Sequence, residues 1–233
     1  MTSPVIGFIG LGLMGGNMVE NLQNKNFKPI VMDLNPEAVA AVVARGGSEA
    51  SSAAELAAAS DIIMLCLTTS TVVEKVMHGD DGILAGIKEG AVVIDFGTSI
   101  PASTRQLGAE LAKKGAGMVD AALGRTPAHA KDGLLNIMAA GDKDTFDKVK
   151  PILDMQGENI FYMGALGAGH TTKLINNFMG MTTVCAMSQA FAVAESAGVD
   201  GQQLFDIMST GPSTSPFMQF CKNYAVAGVS DLG

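Results

Sequence analysis

Short apolar runs alternate with helical patterns along the first two thirds of the chain. The apolar runs predict strands, and the stretches between them repeat apolar residues at helical spacing. Strands are predicted at residues 5–9, 29–32, 61–67, 91–94, 115–119, 134–139 and 158–163, and helices at residues 14–23, 36–43, 53–58, 70–77, 101–114, 145–155, 202–209 and 214–224. This order is typical of an α/β fold with a parallel, doubly wound sheet and right-handed crossovers.

The pattern changes after Gly164. Residues 167–197 contain no proline, which predicts one long helix that leaves the sheet and ends at Gly198. We therefore expect a sheet domain at residues 1–166, followed at residues 167–233 by the long linking helix and the start of an all-helical domain.

Composition excludes several classes of protein. The chain is 48% hydrophobic and 16% charged, so it is able to bury a core. A net charge of −8, with no basic patch, argues against nucleic-acid binding. No apolar run has the length of a membrane span, and no signal peptide is recognisable at the N-terminus, which predicts a cytoplasmic protein. Cys66, Cys185 and Cys221 are expected to be reduced, and no cluster has the spacing of metal ligands.

Three glycines follow the first predicted strand in the spacing G-x-G-x-x-G. Gly10 permits a tight turn, Gly12 lets a pyrophosphate approach the backbone, and Gly15 lets the following helix pack close to the strand. The start of that helix offers free N–H groups to the phosphates. The motif predicts a dinucleotide site, with contacts from its other members, Leu11, Leu13 and Met14. A glycine turn between two ordinary elements is the alternative.

Asp33 ends the second predicted strand, where dinucleotide-binding folds place an acidic residue on the adenosine ribose. A carboxylate there repels a 2′-phosphate. No arginine follows it, because Leu34 and Asn35 occupy the next positions. The sequence therefore favours NAD over NADP, with Asp33 and Leu34 as cofactor contacts. Alternatively, Asp33 caps the helix that begins at Pro36.

Three segments together resemble the β-hydroxyacid dehydrogenase family, which includes 3-hydroxyisobutyrate dehydrogenases. They are G-F-I-G-L-G-L-M-G-G-N-M at residues 7–18, D-F-G-T-S-I-P at residues 95–101 and G-H-T-T-K-L-I-N-N at residues 169–177. The resemblance implies a Rossmann domain joined by one long helix to an all-helical domain. It also implies that Lys173 is the general acid/base and that Asn177 orients the substrate hydroxyl or carbonyl. Both lie on one face of the long helix, because they are four residues apart.

Two segments at strand ends are predicted to face the cofactor and substrate. Thr98 and Ser99 follow a strand and offer hydroxyls to the nicotinamide and the substrate anion. Ser99 has an alternative role as the cap of the helix at residues 101–114. The family usually has serine where Gly97 stands. Leu67 and Thr68 replace its leucine-proline beside the cofactor.

Gly124, Arg125 and Thr126 stand where much of the family has a Ser-Gly-Gly loop that holds the substrate carboxylate. The guanidinium of an arginine together with a threonine hydroxyl binds an anion more strongly than Ser-Gly-Gly does, because its donors are charged and held in one plane. Sulfolactaldehyde reductases of the family are similar here, so a sulfonate or a second carboxylate is a candidate substrate. A surface arginine on a flexible loop is the alternative. His129 is expected on the same solvated loop, as is Lys131, and His170 on the helix surface or beside the cofactor.

The leading hypothesis is an NAD-dependent oxidoreductase for a small anionic 3-hydroxyacid or its semialdehyde. The alternatives are a sulfolactaldehyde-type reductase and, from another class, a non-catalytic NAD-binding protein. The family's chains continue through further helices, so we expect a truncated chain. Family members associate through their helical domains, which predicts a homo-oligomer.

Overall fold

A computed structural model gives the fold and describes residues 3–212, 214–225 and 227–229. The chain divides into two compact units, Met1–Lys173 and Leu174–Gly233. The last residues of the sequence, 230–233, lie outside the described part.

The first unit contains one eight-stranded sheet and the helices that cover it. Its strands are β1 (Ile6–Ile9), β2 (Ile30–Met32), β3 (Ser48–Glu49), β4 (Ile62–Leu65), β5 (Val92–Asp95), β6 (Gly117–Gly124), β7 (Leu135–Gly141) and β8 (Gly157–Tyr162). Its helices are α1 (Leu13–Asn24), α2 (Pro36–Val43), α3 (Ala53–Ala59), α4 (Ser70–His78), α5 (Ile83–Gly86), α6 (Pro101–Ala112), α7 (Pro127–Asp132) and α8 (Lys143–Gln156).

The strand order is β3-β2-β1-β4-β5-β6-β7-β8. From β1 the chain first builds outward through β2 and β3, and it then returns to place β4 on the other side of β1. Ligands of such sheets bind outside the carboxyl ends of the strands at this point of reversal. The doubly wound α/β fold predicted from the sequence is confirmed.

The core has two layers, one on each face of the sheet. Alternate residues of a strand belong to different layers: Ile62 and Met64 pack in one, Ile63 and Leu65 in the other. This is the two-residue period of a strand whose two faces are both buried. Helices α1, α2, α7 and α8 supply the first layer, and α3, α4, α5 and α6 supply the second.

Strand β6 differs from its prediction. It was expected to end at Val119, but it continues to Gly124 and pairs antiparallel with β7. The added residues from Ala121 to Leu123 are buried, and this pairing satisfies their backbone groups. The predicted loop around Arg125 is therefore the end of a strand followed by a short helix, α7, and the sheet is not wholly parallel.

Three short elements were not predicted. Strand β3 consists of two exposed polar residues, so it has no apolar pattern. Helices α5 and α7 have four and six residues, too few for a helical period to be recognised.

The long helix α9 (Ala168–Ser196) begins in the first unit, and its residues from Leu174 onward belong to the second. The second unit also contains α10 (Gly201–Ser209) and α11 (Pro216–Ala225). Its small core consists of Met187, Phe191, Met218 and Cys221. Among the described residues, no helix combines the length and apolar character that a membrane span requires.

Candidate functional site

The turn from β1 into α1 has the backbone geometry expected of its glycines. Gly10 has a φ of +99°, a conformation that residues with a side chain rarely adopt. A Cβ at Gly15 would lie 1.9 Å from the carbonyl oxygen of Gly10, so only glycine allows this close approach of helix and strand. A Cβ at Gly12 would meet no atom within 4 Å. The space above Gly12 is thus open to a ligand.

The amino end of α1 faces that open space without a side-chain cap. Gly12 is the N-cap residue and has no side chain to accept from the first N–H groups. Leu11 is buried, Leu13 is 81% exposed and Met14 is half-buried. Uncapped N–H groups and a positive helix end are suited to a phosphate. The turn therefore fits a dinucleotide.

The Asp33 carboxylate lies next to the glycine turn. It accepts hydrogen bonds from the backbone N–H of Leu11 at 2.5 Å and of Asn35 at 2.7 Å. The cap of α2 is Asn35, whose side chain accepts from the Glu37 N–H. The alternative role of Asp33 as the helix cap is therefore wrong. Leu34 is 99% exposed and leaves room beside the carboxylate.

A cleft of about 700 Å³ opens at the carboxyl ends of β1, β2 and β4, and we call it the β1–β4 cleft. It brings together many of the residues predicted to bind the cofactor. Its lining includes Gly10, Gly12, Asp33, Leu34, Leu67 and Thr68, together with residues that were not predicted from the sequence: Ser51, Ser52, Cys66, Val72, Lys75, Val76 and Asp81.

The missed lining residues carried weak sequence signals. Ser51 and Ser52 follow the unpredicted strand β3, and Ser52 caps α3 by accepting from the Glu55 N–H. Cys66 directly follows β4, in an apolar run whose pattern indicates a buried strand and no binding site. Burial, assisted by the Asp95 carboxylate, raises the pKa of the Cys66 thiol to about 11, so this thiol is protonated at neutral pH.

Thr98 and Ser99 differ sharply in exposure although they are adjacent. Thr98 is exposed, whereas Ser99 is buried and its hydroxyl donates to the Asp95 carboxylate at 2.7 Å. The N-cap of α6 is Ile100, so the alternative role of Ser99 as a helix cap is wrong. A Cβ at Gly97 would lie 3.0 Å from Asp95 Oδ1, which makes a serine at this position tight. Thr98 thus presents the free hydroxyl of this segment.

Arg125 lies where β6 ends, and its guanidinium already has partners. Nη1 donates to the carbonyl oxygen of Leu134 at 2.6 Å, and Nη2 forms an ion pair with Glu158 Oε2 at 2.6 Å. Its φ is +77°, a conformation uncommon outside glycine. Gly124 pairs with Asn136 of β7, so this segment is a strand end and not a flexible loop.

Helix α7 holds the residues after Arg125. Thr126, its N-cap residue, hydrogen-bonds His129 Nδ1 through its hydroxyl at 2.8 Å. Lys131 forms an ion pair with Glu20 of α1 at 3.0 Å. The solvated loop expected for His129 and Lys131 is therefore a short helix beside α1.

The first turn of α9 is attached to the sheet by Asp120 of β6. Its carboxylate accepts from the backbone N–H of Gly167 and of His170, each at 2.7 Å. Asp120 is the register partner of Asp95, so both carboxylates lie at the carboxyl edge of the parallel strands. His170 is fully buried between them, and its expected place on the helix surface is wrong.

Lys173 lies one turn further along α9 and is half-buried. Burial lowers the pKa of its ammonium group below the usual range for lysine. Within the described part of the chain, no carboxylate lies within 4.0 Å of Nζ, so no ion pair raises this pKa again. A lysine in this state can exchange a proton closer to neutral pH. Asn177 has an exposed side chain and belongs to the second unit.

No group of three or more potential metal ligands occurs among the described residues. The chemistry that the residues offer is anion binding at a helix end and proton transfer at an amine.

Comparison with known families divides the chain in two. Residues 5–164 match the family described as the NAD binding domain of 6-phosphogluconate dehydrogenase. Residues 167–228 match the family described as the NAD-binding of NADP-dependent 3-hydroxyisobutyrate dehydrogenase.

Individual relatives extend over most of the chain. The 2-(hydroxymethyl)glutarate dehydrogenase of Eubacterium barkeri is 34% identical over 92% of this chain and 71% of its own length. The 3-sulfolactaldehyde reductase of Escherichia coli is 33% identical over 88% of this chain and 68% of its own. The solved structure of Mycobacterium tuberculosis 3-hydroxyisobutyrate dehydrogenase with L-serine superposes with a TM-score of 0.84 at 28% identity, over 97% of this chain and 74% of that one.

Proposed function

The chain belongs to the β-hydroxyacid dehydrogenase family, and from this we propose that it transfers a hydride between NAD and a small anionic 3-hydroxyacid or its semialdehyde. The observation that carries the proposal is the half-buried Lys173, on the helix that Asp120 ties to the carboxyl edge of the sheet. The β1–β4 cleft opens at that same edge. A proton-transfer group and a dinucleotide cleft therefore share one end of the sheet.

The residues of the chain have separate roles in this reaction. The nicotinamide supplies the hydride acceptor in one direction and the hydride donor in the other. Lys173 Nζ takes the hydroxyl proton of the hydroxyacid as its carbon is oxidised, and it returns that proton when the aldehyde is reduced. Asn177 orients the hydroxyl or carbonyl oxygen. Thr98 offers its hydroxyl to the substrate, and Ser99 secures the segment through Asp95.

The test is a spectrophotometric assay of NAD reduction with a panel of small hydroxyacids. The panel includes L-serine and 2-(hydroxymethyl)glutarate, which occur in the names of similar proteins, and 3-hydroxyisobutyrate. Turnover with at least one 3-hydroxyacid supports the proposal. Binding of NADH without turnover on any member would favour the alternative of a non-catalytic NAD-binding protein.

Asp33→Asn is expected to reduce the preference for NAD over NADP by about 10-fold in kcat/KM, or about 1.4 kcal/mol. The amide keeps the shape of the side chain and one of the two accepted backbone hydrogen bonds, but it removes the charge that repels a 2′-phosphate. Steady-state kinetics with both cofactors measures the ratio. Asp81→Asn is the matched control, because Asp81 is another carboxylate on the same cleft. A wild-type preference for NADP would contradict the role of Asp33.

A second candidate function is reduction of a sulfonated aldehyde, as in the 3-sulfolactaldehyde reductase to which the chain is similar. The position of Arg125 at the end of β6 favours it, since the planar fork of donors of a guanidinium suits a sulfonate. Glu158 now occupies part of that fork, so the substrate anion has to compete with a carboxylate.

Arg125→Ser is expected to lower the ratio of kcat/KM for a sulfonate to that for a carboxylate by about 10-fold, because a charge-assisted donor is lost. Glu158→Gln should act in the opposite direction and lower KM for the anion, since it removes the negative charge that pairs with Nη2. Initial rates on both substrate types give the ratio. If neither variant moves it, Arg125 does not bind the substrate.

Two further properties are part of the proposal. The second unit exposes Phe178, Met179, Met181, Val193 and Ile207, and a homo-oligomer would cover apolar side chains of this kind. Free Cys66, Cys185 and Cys221 fit a reducing compartment such as the cytoplasm.

A further inference from the structure

Five buried polar side chains form one cluster beneath the first turn of α9. They come from β5, the segment after it, α6, β6 and α9 itself, and we call them the Asp–His–Asp cluster: Asp95, Ser99, Thr104, Asp120 and His170. Each is at most 4% exposed. Buried polar groups are costly unless they are paired, so the arrangement of this cluster is strongly constrained.

The two carboxylates hold two different parts of the proposed active site. Asp95 accepts from the Gly97 N–H at 2.8 Å and from the Ser99 hydroxyl, which fixes the segment that carries Thr98. Asp120 accepts from two N–H groups at the start of α9. Burial raises the pKa of Asp120, while those N–H groups stabilise its charged form. The anion also complements the positive end of the helix.

The imidazole of His170 lies between these two anchors. Its Nδ1 is 2.9 Å from the Thr104 hydroxyl. Its Nε2 has no hydrogen-bond partner in the described part of the chain and faces Asp95 Oδ2 at 3.7 Å. A lone pair on Nε2 would face an anion, whereas a hydrogen there points toward it. We therefore assign the hydrogen to Nε2. Nδ1 then accepts from the Thr104 hydroxyl, whose single hydrogen takes this 2.9 Å contact in place of the longer one, 3.3 Å, to the Ile100 carbonyl oxygen.

We propose that His170 is a positioning residue: its buried imidazole connects the first turn of α9 to the Asp95 segment and so fixes Lys173 relative to Thr98. The proposal rests on the proposed function for its catalytic consequence. Lys173 follows His170 by three residues on the same helix, so a rotation of that first turn displaces the amine directly. A displacement of about 1 Å is able to reduce a rate by about 100-fold.

The test compares three substitutions of one side chain. His170→Leu removes both nitrogens and should lower kcat about 10- to 100-fold, with KM and the Kd for NADH within about 2-fold of wild type. His170→Gln places an amide N–H near the position of Nε2 and should recover most of kcat. His170→Asn places its acceptor near Nδ1 only, does not reach Asp95, and should behave like the leucine variant.

A second measurement does not depend on turnover. The rate at which an amine-reactive acylating reagent modifies Lys173, read by mass spectrometry, reports the surroundings of its Nζ. This rate should change in His170→Leu and return in His170→Gln, whereas the rate for the exposed Lys143 should stay constant in all variants. If His170→Leu does not fold, Thr104→Val removes only the hydroxyl that Nδ1 accepts from and should change the rate in the same direction.

The outcomes separate the two proposals. Wild-type kcat and wild-type modification of Lys173 in the leucine variant would overturn the role of His170 and leave the proposed function intact. A protein without hydride transfer, in which Lys173 modification still follows the residue at position 170, would overturn the proposed function and support the positioning role. Equal loss of kcat in the glutamine and leucine variants would also overturn that role, because rescue by the N–H donor is its signature.

Discussion

Replacing Lys173 with alanine is expected to lower kcat about 100- to 10,000-fold while the Kd for NADH changes less than about 2-fold. The factor is the usual contribution of one general acid or base. Binding of the cofactor is spared because Lys173 is not among the residues that line the β1–β4 cleft. Single-turnover and steady-state measurements of hydride transfer give kcat, and fluorescence titration with NADH gives Kd.

Lys173→Arg separates charge from proton transfer. Arginine keeps a positive charge but does not release a proton in the working pH range, so this variant should be nearly as slow as the alanine variant. Lys143→Ala serves as the control, since Lys143 is an exposed residue paired with Asp147. Hydride transfer that survives both substitutions would show that Lys173 is not the general acid/base.

The pH dependence of the wild type should follow the ionisation of the same amine. Burial lowers the pKa of Lys173, so the neutral base becomes available below the ordinary pKa of lysine. In the oxidising direction kcat/KM should rise with pH through this pKa, and in the reducing direction it should fall. Neither Lys173 variant should show this dependence of kcat/KM on pH.

The parts of the fold and site that the sequence predicted depend on local constraints. Gly10 needs a positive φ and Gly15 a close approach to the strand, and both requirements are visible in the spacing of the motif. The alternation of strands and helices also specifies the sheet, because each buried strand is a short apolar run. These features need no knowledge of distant contacts.

The parts that were missed depend on partners far apart in the sequence. From the sequence, His170 is predicted to lie on the helix surface, because the residues that enclose it, Thr104 and Asp120, are 66 and 50 residues away. Glu158, the partner of Arg125, is 33 positions further along and exposed, so nothing in its neighbourhood marked it. Four of the five extra residues of β6 are Asp120, Ala121, Ala122 and Gly124, which are residue types depleted in strands, so pairing with β7 determines their conformation.

Two glycines of the same turn are expected to give opposite results, because one faces open space and the other packs against the backbone. Gly12→Ala should fold with a free energy of unfolding within about 1 kcal/mol of the wild type, because its Cβ meets no atom within 4 Å and its φ of −64° suits alanine, and only the poorer N-cap preference of alanine opposes it. It should nevertheless bind NADH about 100-fold more weakly, since the added methyl group occupies the space predicted for the pyrophosphate. Titration calorimetry measures this loss.

Gly15→Ala should instead lose about 3 kcal/mol of unfolding free energy, because its Cβ would lie 1.9 Å from a backbone oxygen and the helix must move. For a unit of this size that loss corresponds to a Tm lower by about 6–12 °C. Each variant controls for the other, with NADH binding and thermal unfolding measured on both. Tight NADH binding by Gly12→Ala would place the pyrophosphate elsewhere, since this open position is the one at which the backbone is expected to meet it.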